Sequence, residues 1–398
     1  MIYEPVFTLL LIVVLLGLLQ LACAYLILLE RKMAAWVQDR LGPNRVGPKG
    51  LFQPVADGLK FLLKEQVVPG HVDKPAYFVA PAIAVVATTL GFAVVPFAPV
   101  APGEERGLRF IIAPDLDIGI LFFVAAGSLA VYAVLLAGWS SNNKYSFLGA
   151  IRSSAQLVSY EIPLGLAILG VVFAAGSFSI SDMVVQQVRQ GWNVLYQPIG
   201  FVVFFLSGLA ECNRLPFDLP EAEQELVGGY HTEYSGLKFA FFFLGEYTHV
   251  ISISFLCSLL YLGGWHLPGI GSAVLSGWGE WFLASLILWM KVTLFVLVIM
   301  LVRWTLPRFR YDQLMDMAWL GLMPLGLANI VILAVVAYGE VQPGWSGLVS
   351  VVFLATVGVG RALWFHLQPE ESIRVLTQND GVKTGVQGNG SSHAHSAV

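Results

Sequence analysis

Charge and cysteine are the scarce components of this chain. Lys, Arg, Asp and Glu make up 12% of its 398 residues, against about 25% in a soluble domain, which excludes a water-soluble globule. The three cysteines, Cys23, Cys212 and Cys257, stand far apart in no CxxC or Cys/His ligand spacing. They are expected as free thiols, with no iron–sulfur cluster and no metal site on the chain. No dinucleotide fingerprint and no nucleophile–base pair appear either. The chain is therefore expected to hold no flavin or other redox centre of its own, and to bind no nucleic acid.

What fills the chain is apolar. Hydrophobic residues reach 57% and the mean hydropathy is +0.74. The apolar runs are continuous rather than alternating, which selects helices over a barrel as the way to satisfy a backbone in lipid. The fold class is an all-α polytopic membrane protein. At about 20 apolar residues per crossing, about nine transmembrane helices are expected, near 6–29, 77–98, 118–138, 157–176, 195–211, 239–263, 281–303, 319–338 and 345–366. They form a single membrane domain over 1–367. A tail, 368–398, is Gly/Ser/His-rich and expected to be disordered, with His393 and His395 solvated. The first run is read as a span and not a cleaved signal, since no basic residue precedes it and Glu30-Arg31-Lys32 follows it.

Lys and Arg set the orientation. With the N-terminus outside and the C-terminus inside, 18 of the 22 fall in inner segments, eight of them between 31 and 74; the positive-inside rule prefers this arrangement. That first inner loop also holds an amphipathic segment in which Leu51, Val55, Leu59 and Leu62 recur at helical spacing. It is expected to lie in the membrane interface or under a soluble partner.

One stretch resists the apolar pattern. From Glu211 to Tyr247 the chain reads ECNRLPFDLPEAEQELVGGYHTEYSGLKFAFFFLGEY, holding Glu211, Asp218, Glu221, Glu223, Glu225, Glu233 and Glu246 against only Arg214 and Lys238. A carboxylate inside lipid costs roughly 2.5–3.5 kcal/mol even on insertion scales, so an anchor has no reason to carry them. Glu161 lies about one turn inside the fourth expected span, Glu211 ends the fifth and Glu246 lies about two turns into the sixth. All three are expected at one depth, the inner third of the membrane, where clustered carboxylates titrate as a coupled set suited to proton uptake and release. Asp218 to Gly229 reads as a short loop helix, with a capping-box spacing at Asp218 and Glu221 and a stop at Gly228-Gly229. Lys291, about 18 Å along its span at ~1.5 Å per residue, is a candidate for function or for an ion pair.

Four long motifs then carry a family resemblance: Glu30 to Glu65, NKYSFLGAIRSSAQLVSYEIPL (143–164), ECNRLPFDLPEAEQELVGGYHTEYSG (211–236) and RWTLPRFRYDQLM (303–315). In order, and over the chain from the first span to about residue 366, it resembles the H subunit of NADH–quinone oxidoreductase, respiratory complex I. A ninth span and the tail depart from the eight-helix pattern of that family. The resemblance implies a bacterial inner-membrane subunit beside small membrane subunits, with the quinone-site and terminal-cluster hydrophilic subunits docked on its inner face. It implies a chamber for quinone, a substrate that enters from the bilayer, and an acidic path that couples quinone reduction to proton translocation. On the matching positions, Glu161, Glu211, Glu223, Glu225 and Glu246 fall to proton coupling. Arg31, Arg45, Arg214, Arg303 and Arg310, with Tyr230, His231 and Tyr234, fall to the quinone chamber or docking loops. Two other readings of the residues stay open: the membrane subunit of an energy-converting hydrogenase, and a stand-alone proton-coupled transporter.

The orientation is testable. Cysteines substituted for Asn44, Asn142, Ser235 and Tyr311 should react with an impermeant reagent only from the inner face of the membrane; labelling of any of them in intact cells would overturn it.

Overall fold

Long apolar runs leave the backbone no partner but itself, and every long element among the described residues is a helix. A computed structural model describes residues 5–99, 111–113, 116–218, 227–268, 278–339 and 344–367. The helices are α1 (Pro5–Val37), α2 (Gln53–Leu63), α3 (Lys74–Leu90), α4 (Gly119–Ser140), α5 (Lys144–Ala175), α6 (Ile180–Gln190), α7 (Pro198–Glu211), α8 (Gly236–Tyr261), α9 (Trp278–Thr305), α10 (Tyr311–Tyr338) and α11 (Gly344–Leu367). Seven helices among the described residues, α1, α3, α4, α5, α8, α9 and α10, are long and apolar enough to cross a membrane.

One of the nine expected spans comes out shorter. The fifth begins only at Pro198, because Gln197 breaks the helix at φ −134°, and α7 is left with 14 residues, about 21 Å at ~1.5 Å each. The ninth is matched by α11, Gly344–Leu367, which covers the expected 345–366. The helix that holds the fourth span is longer than the span. Residues 144–156 are too polar for a hydropathy window, yet they extend α5 to 32 residues. They are helical because they pack: a Cβ on Gly149 would stand 2.8 Å from the Gly229 backbone, so only glycine allows that approach. Glu161 is therefore mid-way along α5. The loop helix expected from Asp218 falls mostly outside the described residues, as do Glu221, Glu223 and Glu225 and the tail.

α3, α4 and α5 pack in sequence, α7 lies on α5, and α8 returns against α3 and α9. α8 is the axis of the bundle. Every residue from Tyr247 to Tyr261 is buried, as expected of a helix that is apolar around its whole circumference. Its hydroxyls do not break this rule, since Thr248, Ser252, Ser254 and Ser258 each donate to the carbonyl four residues back. α2 buries no residue; Val55, Leu59, Leu62 and Leu63 are exposed, while Asp57 bonds Arg31 on α1 at 2.7 Å.

The C-terminal end of α8 is capped by side chains. Gln187 donates to Leu259 O at 2.8 Å and Asn193 to Leu260 O at 2.9 Å. Lys291 on α9 spreads its three N–H groups over the carbonyls of Leu262, Gly264 and His266 at 2.6, 2.8 and 2.7 Å. A cation at a helix C-terminus also suits the helix dipole. Lys291 is thus held by backbone carbonyls rather than by a carboxylate. Each buried acceptor left unsatisfied costs about 1–3 kcal/mol, so Lys291→Met should lower the thermal midpoint of the purified protein well below that of Leu294→Ala on the exposed side of the same helix. Equal midpoints would show that the cap is dispensable.

Candidate functional site

The polar stretch after α7 is fixed by residues far from it in sequence. Gln156 of α5, fully buried, donates to Ala210 O and to Phe217 O, both at 2.8 Å. Phe309 N donates to Pro216 O at 3.2 Å. Arg308 donates to Asp218 O from Nε at 3.1 Å and lies 3.1 Å from its carboxylate through Nη2. These bonds hold the turn that carries Arg214 against α8.

Arg214 then reaches two carboxylates. Its Nη1 is 3.9 Å from Glu30 Oε1 and its Nη2 is 3.6 Å from Glu246 Oε2, while its guanidinium lies 4.2 Å over the Tyr247 ring. Glu30, at the end of the apolar part of α1, also pairs with Arg303 and accepts the Tyr247 hydroxyl at 2.6 Å. Glu30 and Arg214 are 7% and 8% exposed. Charges at that depth persist only when paired and hydrogen-bonded. The result is a chain of charge, Arg303–Glu30–Arg214–Glu246, that joins α9, α1, the turn and α8.

Behind Glu246 lies a cavity of about 60 Å³. Glu161 from α5, Glu211 from the end of α7, Glu246 and His249 from α8, and Tyr230 all line it. Glu246 and His249 share a face because they are three residues apart on one helix. Tyr230 donates to Glu246 Oε1 at 3.3 Å, and His231 Nε2 lies 3.7 Å from the same oxygen. His249 Nε2 is 3.2 Å from Glu211 Oε2. Among the described residues, no Lys or Arg lies within ion-pair distance of Glu161 or Glu211. Among the described residues, the cavity thus has one carboxylate paired with a permanent cation and two that are not. Such a set can hold and exchange protons, and can report a shift of Arg214 through Glu246.

Of the residues singled out in the sequence, Glu161, Glu211, Glu246 and Tyr230 meet in this cavity. His231 sits at its edge and Arg303 belongs to the Glu30 cluster. Tyr234 lies elsewhere, stacked 4.2 Å from the Tyr77 ring and 3.3 Å from Ser140 Oγ; burial pushes its phenol up. Arg31 pairs with Asp57, and Arg45 and Arg310 are exposed away from the cavity. Glu30, Tyr247, His249 and Arg308 were not singled out. A signal existed for His249, an ionisable residue inside an apolar run, but Glu30 read as the border of a basic loop.

Comparison with known proteins agrees with these motifs. The family profile described as NADH dehydrogenase matches residues 9–334. An H subunit (H 1) of the NADH-quinone oxidoreductase of Geobacter metallireducens is 49% identical over 312 residues, 78% of this chain and 90% of that one. The H subunit of the Protochlamydia amoebophila enzyme is 47% identical over 315 residues, 79% and 92%. An H subunit (H 1) of the Cytophaga hutchinsonii enzyme is 45% identical over 305 residues, 76% and 88%. The chain belongs to the H-subunit family of NADH-quinone oxidoreductases. The match to the family profile stops at residue 334, short of the 366 expected, so α11 lies beyond it.

The Glu30 cluster predicts an order of stabilities. Removing one partner of a buried ion pair costs about 3–5 kcal/mol, whereas a single hydrogen bond to a charged group contributes about 1.5–3 kcal/mol. Glu30→Gln should therefore lower the thermal midpoint of the purified protein more than Tyr247→Phe does. The reverse order would show that Arg214 and Arg303 do not depend on Glu30.

Proposed function

We propose that this chain is the membrane subunit of an NADH–quinone oxidoreductase that frames the quinone chamber and carries the acidic path from it. The single observation behind the proposal is the cavity that gathers Glu161, Glu211 and Glu246 from three helices, with the Arg303–Glu30–Arg214 chain leading into it. Reduction of a quinone takes up two protons along with two electrons and changes the charge nearby. A cluster whose carboxylates are coupled through Arg214 is suited to respond to that change.

An apolar groove of about 430 Å³ lies between α1, α8 and α9, lined by Leu26, Leu29, Leu51, Trp289 and Val296, with Lys32 among its residues. It offers a path for an isoprenoid tail from the bilayer. In this reading α7 and α11 join the seven long helices to make nine spans, and α2 rests its exposed Val55, Leu59 and Leu62 in the interface of the inner face. The N-terminus is outside and the C-terminus inside a bacterial inner membrane. The hydrophilic quinone-site and terminal-cluster subunits dock on the inner loops, small membrane subunits lie alongside, and electrons reach the quinone from a cluster on a neighbouring chain. The names of the relatives favour this enzyme over a hydrogenase paralogue or a lone transporter.

Glu246→Gln tests it. The change keeps the hydrogen-bonding shape but removes the titratable proton and weakens the link to Arg214. In an assembled complex, quinone reduction and proton pumping should fall together, by at least ~10-fold. NADH oxidation by an artificial acceptor, which occurs on other subunits, should survive. Parental rates of quinone reduction and pumping in the assembled variant would make Glu246 a structural residue and sink the proposal.

A further inference from the structure

Glu211 has a partner of a different kind from the arginines that hold Glu246 and Glu30. Glu246 is held beside the permanent charge of Arg214, and Glu30 beside two guanidiniums. Glu211 has instead an imidazole, His249 Nε2, at 3.2 Å, and the side chains of both are largely buried, at 11% exposure for His249 and 14% for Glu211. An arginine would fix the charge of Glu211. An imidazole makes that charge conditional on where a proton sits, because histidine titrates nearest to neutrality of all side chains.

We infer that His249 is itself a proton carrier of this cavity, exchanging a proton with Glu211; the inference rests on the proton-path reading above. Each wall of the cavity brings its own groups. α5 contributes Glu161, the end of α7 contributes Glu211, α8 contributes Glu246, and the turn Gly229–His231 contributes Tyr230. From α3 and α4 come only uncharged residues such as Thr88 and Ser128. Among the described residues, His249 is therefore the one cavity-lining side chain able to take up positive charge, and it faces a group of carboxylates.

The exchange balances without any other reagent. The carboxyl O–H bond of Glu211 breaks as the Nε2–H bond of His249 forms, and a neutral pair becomes carboxylate and imidazolium with no change in net charge. The imidazolium then releases its Nδ1 proton to water, and the ring is left neutral with the proton on Nε2. A polar cavity needs roughly 10–15 Å³ of probe-sized space per water, so about 60 Å³ accommodates several. A carboxylate has one acidic proton, whereas imidazole accepts on one nitrogen and donates from the other. That is the property a relay between two points of the cavity requires.

A purely structural hydrogen bond would be served as well by an amide, and the test exploits this. His249→Asn and His249→Gln keep an N–H donor toward Glu211 but cannot titrate. In inverted membrane vesicles carrying the assembled complex, quinone reduction and proton pumping by these variants should fall at least ~10-fold. Whatever step His249 contributes to the parental pH profile should disappear with it. Glu211→Gln serves as the comparison, with assembly checked by native electrophoresis and by NADH oxidation with an artificial acceptor. If Glu211→Gln is impaired while an assembled amide variant of His249 keeps the parental rate and pH profile, His249 is a structural partner and the inference falls alone. If all three match the parent, the proton-path reading falls with it. Should one amide variant fail to assemble, the other carries the comparison. If both fail, a parental pH profile that is flat between about pH 5 and 8, the range in which an ordinary histidine titrates, overturns the inference.

Discussion

The buried guanidinium of Arg214 is the contact on which the rest of the site depends. An arginine at 8% exposure is tolerable only because Glu30 and Glu246 stand on either side of it and the Tyr247 ring lies under it. Those partners come from α1 and α8, and Arg214 itself from the turn after α7. The desolvation cost of a buried ion is several kcal/mol unless its partners are in place, so these elements are constrained to meet. Arg303 closes the arrangement by pairing with Glu30 from α9.

Arg214 also divides the carboxylates into two kinds. Glu246 belongs at once to the ion-pair chain and to the cavity, whereas Glu161 and Glu211 belong to the cavity alone. A displacement of charge at one end of the chain is felt at Glu246 through Arg214, and from there by neighbours that, among the described residues, have no permanent cation of their own. Low local dielectric strengthens each of these interactions. Under the proposed function, that is a physical route for coupling. The second anchor, Lys291 and its three carbonyls, fixes the opposite end of α8, so the helix that carries Glu246 and His249 is held at both ends.

Much of this was legible in residue order. Scarce charge and continuous apolar runs imply membrane helices whatever their packing, because lipid leaves the backbone no other partner. Carboxylates in such runs are rare enough to mark Glu161, Glu211 and Glu246 by their presence alone. The extension of α5 was not legible. Its first turns are polar, and it is their packing on α4 and against the Gly229 backbone that accounts for them. Hydropathy reports transfer to lipid and is blind to transfer into protein.

The sequence by itself determined the helical class, the family and the three carboxylates, since each rests on local composition or on contiguous motifs. Only the tertiary structure decided the partners. Glu30 is 184 residues from Arg214 and 273 from Arg303 along the chain, and nothing in the run ERK distinguishes a loop-border glutamate from the partner of two arginines. Likewise His249 becomes a partner of Glu211 only because α7 ends beside α8. Tyr234, three residues from His231, turns instead to Tyr77. Pairing energies act through space at a few ångströms, and distances of that size between remote residues exist only once the helices have packed.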